Sequence, residues 1–433
     1  MFPALPDMWF GRALIVGLAL FQGAALGAAR PADAAQYAYV QLGPEGTPLA
    51  RVVTDAAACP NITLNGVEAG MTVRAAAAPP AFPVTTCEAY VPAGVTSARV
   101  GDDVLPIPVA EPKRIIVIGD TGCRLKDDQI QACNVAAEWP FFDIASTAAQ
   151  MKPDLVIHVG DYHYRETPCP AGDARCQPSP YGDSWAAWQA DFFEPAVPLL
   201  AAAPWITVRG NHEDCDRAGA GWFRLMEPRR MPTEARAPAC TDMTAPYWVP
   251  IGRETAWVFD SAAAQDYKTR PAQIEAYRRQ WATMTEGITG PSWLLTHKPI
   301  WGIAAAGMLD GKTVITELNP TLQQAADGNI SPNLFTVISG HVHTFQAVDF
   351  QGSRPSQLIV GNSGDALSKP VAQDLAGIAI DDMPTTNLAT YGGFGFVLLE
   401  RTDEGWNATL YDRLGVKLRR CQMHFRNLAC AAG

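Results

Sequence analysis

Between residues 114 and 343, five short apolar runs each stop at a polar signature. The signatures read GDTG (119–122), GDYHY (160–164), GNHE (210–213), LLTH (294–297) and GHVH (340–343). Runs such as RIIVI at 114–118 and LVIHV at 155–159 are mostly apolar on successive residues rather than alternating, the pattern of strands buried on both faces. Helical stretches are expected at 142–151, 185–200 and 272–284, so strands and helices alternate and the class is α/β. In an open sheet of this kind ligands bind beyond the carboxyl ends of the strands. A glycine before the polar residue lets the chain turn sharply and brings backbone close to the site. Five strand ends that deliver Asp, Asn or His to one edge should therefore build a single cluster.

The donors Asp120, Asp161, Asn211, His297, His341 and His343 are hard or borderline oxygen and nitrogen ligands, with no thiolate among them. Such a set suits Mn, Fe, Zn or Mg. It exceeds the needs of one tetrahedral ion, which points to two metals bridged by a central carboxylate about 3.5–4 Å from each other. Five of the seven histidines fall inside the signatures, so chance placement is a poor explanation. Metals at that spacing favour in-line displacement at phosphorus by an activated water.

The rest of the chain sets the context. Its 433 residues allow one large domain and a smaller one. A net charge of −11 argues against nucleic acid or an anionic membrane as partner but permits a small phosphate ester. Arg12, the apolar run 13–21 and the small residues up to 34 have the order of a signal peptide, expected over 1–34. An uncleaved N-terminal anchor is the rival reading. No later segment is long or apolar enough to span a bilayer, and the expected location is secreted or periplasmic.

The ten cysteines fall into sequential couples: 59/87, 123/133, 169/176, 215/240 and 421/430. Five disulfides are expected; pairing by neighbours is the simplest scheme, although sequence does not fix connectivity. The lack of any CxxC pair weighs against a cysteine metal site. Residues 36–110 hold short β runs and turns with no long amphipathic helix and no histidine, hence a small all-β domain. Prolines 106, 108 and 112 mark a linker to a catalytic domain over 113–433, whose last quarter turns to β with a hairpin from 394–399 and 407–411.

The array of signatures resembles the calcineurin-like metallophosphoesterases, and among them most closely the purple acid phosphatases. The resemblance covers 114–343 and implies an αββα sandwich around a dinuclear centre, preceded in many members by a small β domain. It puts Asp120, Tyr164 and His343 on a ferric ion. It puts Asn211, His297 and His341 on a divalent ion (Fe, Zn or Mn), with Asp161 bridging. Most other calcineurin-like enzymes carry a histidine as third residue of the first motif; here that residue is Gly122, and Tyr164 is the natural replacement ligand. A zinc or manganese pair with Tyr164 as a bystander is the alternative.

Purple acid phosphatases commonly carry further histidines soon after the strand-borne one, and 298–306 has none. A leaving alkoxide still needs a proton or stabilisation by a metal. His212 is the first candidate to supply the proton, and His163 is either the second or a pocket-wall residue. Arg165 and Lys298, beside ligand motifs, are candidate phosphate contacts or else surface charges. Tyr162 is expected to pack. The expected activity is an exported acid-phosphatase-like hydrolase of phosphate esters. The alternatives are a phosphodiesterase with the same metal centre, favoured by the thinning of terminal-phosphate contacts, and a non-catalytic binding protein on this fold.

Overall fold

In the computed structural model of the chain, residues 37–231, 239–309, 312–369, 371 and 377–431 are described. The expected export signal at 1–34 lies outside them. Two sheets form the centre. In the first, the apolar runs become the parallel strands Arg114–Ile118, Leu155–His158 and Trp205–Thr207, with Ile157 opposite both Val117 and Ile206. The expected C-terminal hairpin, Gly395–Arg401 with Trp406–Asp412, adds antiparallel on the far side of Arg114–Ile118. The second sheet is built on Glu254–Phe259, Ser292–Thr296, Leu334–Ser339 and Ser356–Val360, again parallel.

Strand alternation then assigns the layers. Ile115, Val117, Ile157, Val159 and Val208 face Ala256, Val258, Leu295, Ile338 and Leu358 across the space between the sheets. The opposite face of the first sheet, with Ile116, Ile118 and Val156, packs on Phe141, Ile144, Ala148 and Phe192. The opposite face of the second, with Phe259, Leu294 and Val337, packs on Tyr277, Trp281 and Met284. The last three share one stripe of the helix Pro271–Gly287, which begins with proline where its missing N–H costs nothing. This is the αββα sandwich. Each fully buried aliphatic side chain contributes roughly 1.5–3 kcal/mol, so a charge at a central position such as Ile157 would oppose both sheets at once.

The helix expected at 185–200 forms but is not uniform. Ser184 caps its start by accepting from the Ala187 N–H. A π turn then occupies Gln189–Phe193 before the α-helix resumes over Glu194–Leu200. Such a bulge rotates one residue out of helical register, and here that residue group includes the buried Asp191.

The segment before the catalytic region is all β, and its strands divide. Tyr37–Leu42, Pro48–Thr54, Thr85–Tyr90 and Thr72–Ala75 extend the first sheet, joined where Gln41 pairs with Trp205. Asn61–Leu64, Val67–Gly70, Ala98–Val100 and Asp103–Leu105 form a separate four-stranded sheet. Arg51 ties this segment to the stretch after the third signature, donating to the carbonyls of Leu225 and Glu227. All five neighbouring cysteine couples are disulfides: Cys59–Cys87, Cys123–Cys133, Cys169–Cys176, Cys215–Cys240 and Cys421–Cys430. No helix among the described residues is long and apolar enough to cross a membrane.

Candidate metal centre

The parallel strands of both sheets end at the same edge, and their signatures meet there. Asp161, His297 and His341 bring one ligand atom each within 4.8 Å of one another. His297 Nε2 lies 3.1 Å from Asp161 Oδ2 and 3.0 Å from Asn211 Oδ1. On the other flank, the Tyr164 hydroxyl lies 2.8 Å from Asp161 Oδ2, 3.0 Å from Asp120 Oδ1 and 3.0 Å from His343 Nε2. All seven ligands expected from the sequence are thus drawn into one chain of contacts, with Asp161 in its middle.

Local backbone explains how side chains from separate loops converge. Asp120, Asp161 and His341 all adopt left-handed conformations, with φ of 55°, 61° and 72°. A non-glycine residue held there costs on the order of 1–3 kcal/mol, so surrounding bonds must impose it. Asp161 is fixed by Glu213, whose buried carboxylate accepts from the backbone N–H groups of Asp161, Tyr162, His163 and Gly210. Asp120 accepts from the His341 N–H at 2.9 Å, which locks two candidate ligands to each other. Gly210 has no substitute: a Cβ there would sit 2.0 Å from Asp161 Oδ1.

Outer partners orient the imidazoles, as is usual around metal ligands. His297 Nδ1 faces the Val159 carbonyl at 2.9 Å. His343 Nδ1 faces the Ala366 carbonyl and, at 3.1 Å, Asp365, whose carboxylate is also gripped by Arg124. His341 Nε2 lies 3.0 Å from Asp266.

The residues fit a cation. A phenol has one proton to donate, yet Tyr164 faces two carboxylates and an imidazole at hydrogen-bond distance, so no single bond satisfies that geometry. Burial and the two carboxylates push the Tyr164 phenol well above its usual range, and a metal ion is what inverts such local electrostatics. Burial opposes a charged His297, yet Asp161 pushes it up to about 9, so the space between these two favours positive charge. Burial alone would raise the Asp161 carboxyl, but His297 and then His212 hold it well below the usual range.

The remaining candidates divide. His212 stands at the cluster: its ring lies against Tyr164 with centroids 3.8 Å apart, and Nε2 is 3.9 Å from Asp161 Oδ2. Its Nδ1 contacts Glu166 at 2.7 Å, and Arg217 also binds Glu166. His163 is not brought there. It is 1% exposed, with Nε2 at 3.0 Å from the Gly182 carbonyl and its ring against Trp188. Tyr162 packs as expected, stacked on His158 within an aromatic group. Side chains from 161 to 165 therefore do not alternate as in a strand; 161 and 164 share the site.

Arg165 is turned away as well. It is 4% exposed, bonded to Asp191 at 2.7 Å and to Ser179, and lies over Trp139. Lys298 is also buried, donating to the Ala264 carbonyl at 2.7 Å and to Asp266 at 2.5 Å. Of the two readings offered for these cations, phosphate contact or surface charge, the structure shows neither: both are buried and bonded to carboxylates. Of the supporting carboxylates, only Glu213 stood inside a quoted signature. Glu166, Asp191, Asp266 and Asp365 carry no motif, and Asp365 meets Arg124 across 241 residues of chain.

A family model for the calcineurin-like phosphoesterases matches residues 113–345. No curated protein matches the sequence. Among solved structures, a purple acid phosphatase, PPD1, from yellow lupin (Lupinus luteus) seeds superposes with a TM-score of 0.56 at 15% identity, over 90% of this chain and 74% of that one. The structure of PhoD superposes with a TM-score of 0.54 at 10% identity, over 92% of this chain and 91% of that one. These likenesses concern the fold, and the family match covers more than half the chain, with the five signatures inside it. The chain belongs to the calcineurin-like phosphoesterase family: it is a metal-dependent phosphoesterase that resembles the purple acid phosphatases.

Proposed function

We propose that this protein is an exported, binuclear phosphoesterase in which Asp120, Tyr164 and His343 hold Fe(III) and Asn211, His297 and His341 hold a divalent ion, Asp161 bridging the two. Residues 113–433 form its catalytic domain and 36–110 an all-β companion. The observation that carries this reading is the three-way approach of Tyr164, Asp161 and Asp120, continued through His297 to Asn211. A phenolate is a strong donor to a hard trivalent ion. Five disulfides support an oxidising compartment.

The ions, when bound, would polarise a phosphoryl oxygen and lower the pKa of a water. The protein's own part is positional. Glu213 and Asp191 clamp the 161–165 loop so that the two ligands it carries face the same point. Glu166 engages Nδ1 of His212 and Arg217 lies 2.8 Å from its Nε2, which together hold the ring beside the cluster as the candidate donor to the departing oxygen. Metal analysis of the protein purified from an oxidising compartment, with phosphate-ester hydrolysis before and after chelation, tests the proposal. Two ions per chain including iron, and activity lost on chelation, are expected. One ion or none in an active protein would overturn it.

A further inference from the structure

Two cavities open at the two ends of the ligand cluster. One, of about 450 Å³, is lined by His343, Arg124, Gln129, Ile130 and Leu367. The other, of about 370 Å³, is lined by Asn211, Arg217, Ala263, Asp266 and Lys298. His343 and Asn211 are the end members of the contact chain His343–Tyr164–Asp161–His297–Asn211, so the cavities flank the point where phosphorus would sit. Each is large enough for a small organic group.

The lining differs between them. The cavity beside His343 mixes amide and apolar side chains, including Ile130, Ala366 and Leu367. The one beside Asn211 is lined mainly by charged and polar groups and by alanines. The cations on these walls beside the cluster are not free to meet an additional phosphate charge. Arg124 is paired with Asp365, Arg217 with Glu166 and Lys298 with Asp266. Arg270 stands on the exposed rim of the second cavity, where it can meet polar groups of a substituent.

We propose, on the footing of the function given above, that the substrate is a phosphodiester with two unlike arms, the less polar arm beside His343 and the more polar arm beside Asn211. A monoester would fill one cavity and leave the other empty. In the reaction, a water oxygen bonds to phosphorus and the bond from phosphorus to one arm's oxygen breaks. A proton from the water ends on that oxygen, giving an alcohol and a phosphomonoester.

The test compares the metal-loaded enzyme on p-nitrophenyl phosphate and on the unsymmetrical diester p-nitrophenyl phosphorylcholine, which share a leaving phenol. Leu367→Trp fills one cavity and Ala263→Trp the other; Leu367→Phe and Ala263→Leu serve if a tryptophan variant does not fold. The wild type should favour the diester. Each variant should raise the diester KM by about tenfold or more with little change in kcat. The monoester KM should move in no more than one of them. A wild type that favours the monoester, or a diester KM indifferent to either variant, would overturn the two-arm assignment while leaving a phosphoesterase in place. Hydrolysis of neither ester would remove the underlying function as well.

Discussion

Tyr164 occupies the space that a side chain at position 122 would need: a Cβ on Gly122 would lie 2.9 Å from Tyr164 Cδ2 and 2.8 Å from Asp191 Oδ2. A Cβ there would also meet the Tyr162 carbonyl oxygen at 2.8 Å, so the glycine in the first signature makes room for the tyrosine of the second together with the backbone before it. Gly122→Ala should destabilise the protein by about 1–3 kcal/mol through overpacking. Tyr164→Ala should relieve part of that cost, so the double variant should be more stable than the two single losses predict. Denaturant unfolding of the four proteins measures the coupling, and strict additivity would mean that the two positions do not compete.

Asp191 supports the same loop from below. Its carboxylate accepts from the N–H groups of Cys123, Tyr164 and Arg165 and from Arg165 Nε, all in a fully buried setting. Removing one partner of a buried pair typically costs about 3–5 kcal/mol, because the other charge stays unpaired. Asp191→Ala should therefore lower stability by that order and weaken retention of metal. Arg165→Met should be milder, since it leaves Asp191 with three backbone donors. Equal losses from the two variants, seen in urea midpoints, would assign Arg165 a larger share than these bonds allow.

The two candidate proton donors separate on geometry. His212→Ala should slow hydrolysis of an alkyl phosphate by about 10²–10⁴-fold. The effect should be far smaller on a nitrophenyl ester, whose leaving group needs no proton. Glu166→Gln should give a weaker form of the same pattern, because it removes the carboxylate facing Nδ1. His163→Ala should leave turnover and its pH profile unchanged and lower stability instead, by about 0.5–3 kcal/mol. Leaving-group dependence of kcat in the three variants is the measurement; an activity loss in His163→Ala on alkyl esters alone would restore that residue to the chemistry.

Much of this was legible in the sequence, for physical reasons that also mark the boundary. Strands buried on both faces read as unbroken apolar runs, and their polar ends name the edge where the structure gathers Asp120, Asp161, Asn211, His297, His341 and His343; Tyr164 was named only through the family resemblance. Disulfide partners close in sequence were readable because short loops close at little entropic cost. Three features were not readable. The pairing of Gln41 with Trp205, which merges the first strand of the all-β segment into the catalytic sheet, joins residues far apart in the chain, and no local pattern encodes that register. The π turn at Gln189–Phe193 has no composition signal. The direction of His163 follows from Glu213 and Asp191 gripping the backbone on either side of it, not from strand alternation.

Metal removal should cost stability as well as activity. Asp120, Asp161 and His341 sit in left-handed conformations, and carboxylates crowd a buried phenol, so a bound cation should offset both strain and repulsion. A ligand held at 1,000 times its Kd stabilises by about 4 kcal/mol. Chelation should lower Tm by several degrees or more, and readdition of Fe or Zn should restore it. An unchanged Tm after verified loss of both ions would mean that the protein alone holds these side chains in place.

The most direct test of the centre is the visible absorption spectrum of the protein purified from an oxidising compartment, set beside that of Tyr164→Phe with metal content measured in both. A phenolate on Fe(III) predicts a purple or pink band in the wild type that vanishes in the variant while iron is retained. A colourless protein that still hydrolyses phosphate esters with two ions bound would contradict the ferric assignment and the role of Tyr164 as its ligand.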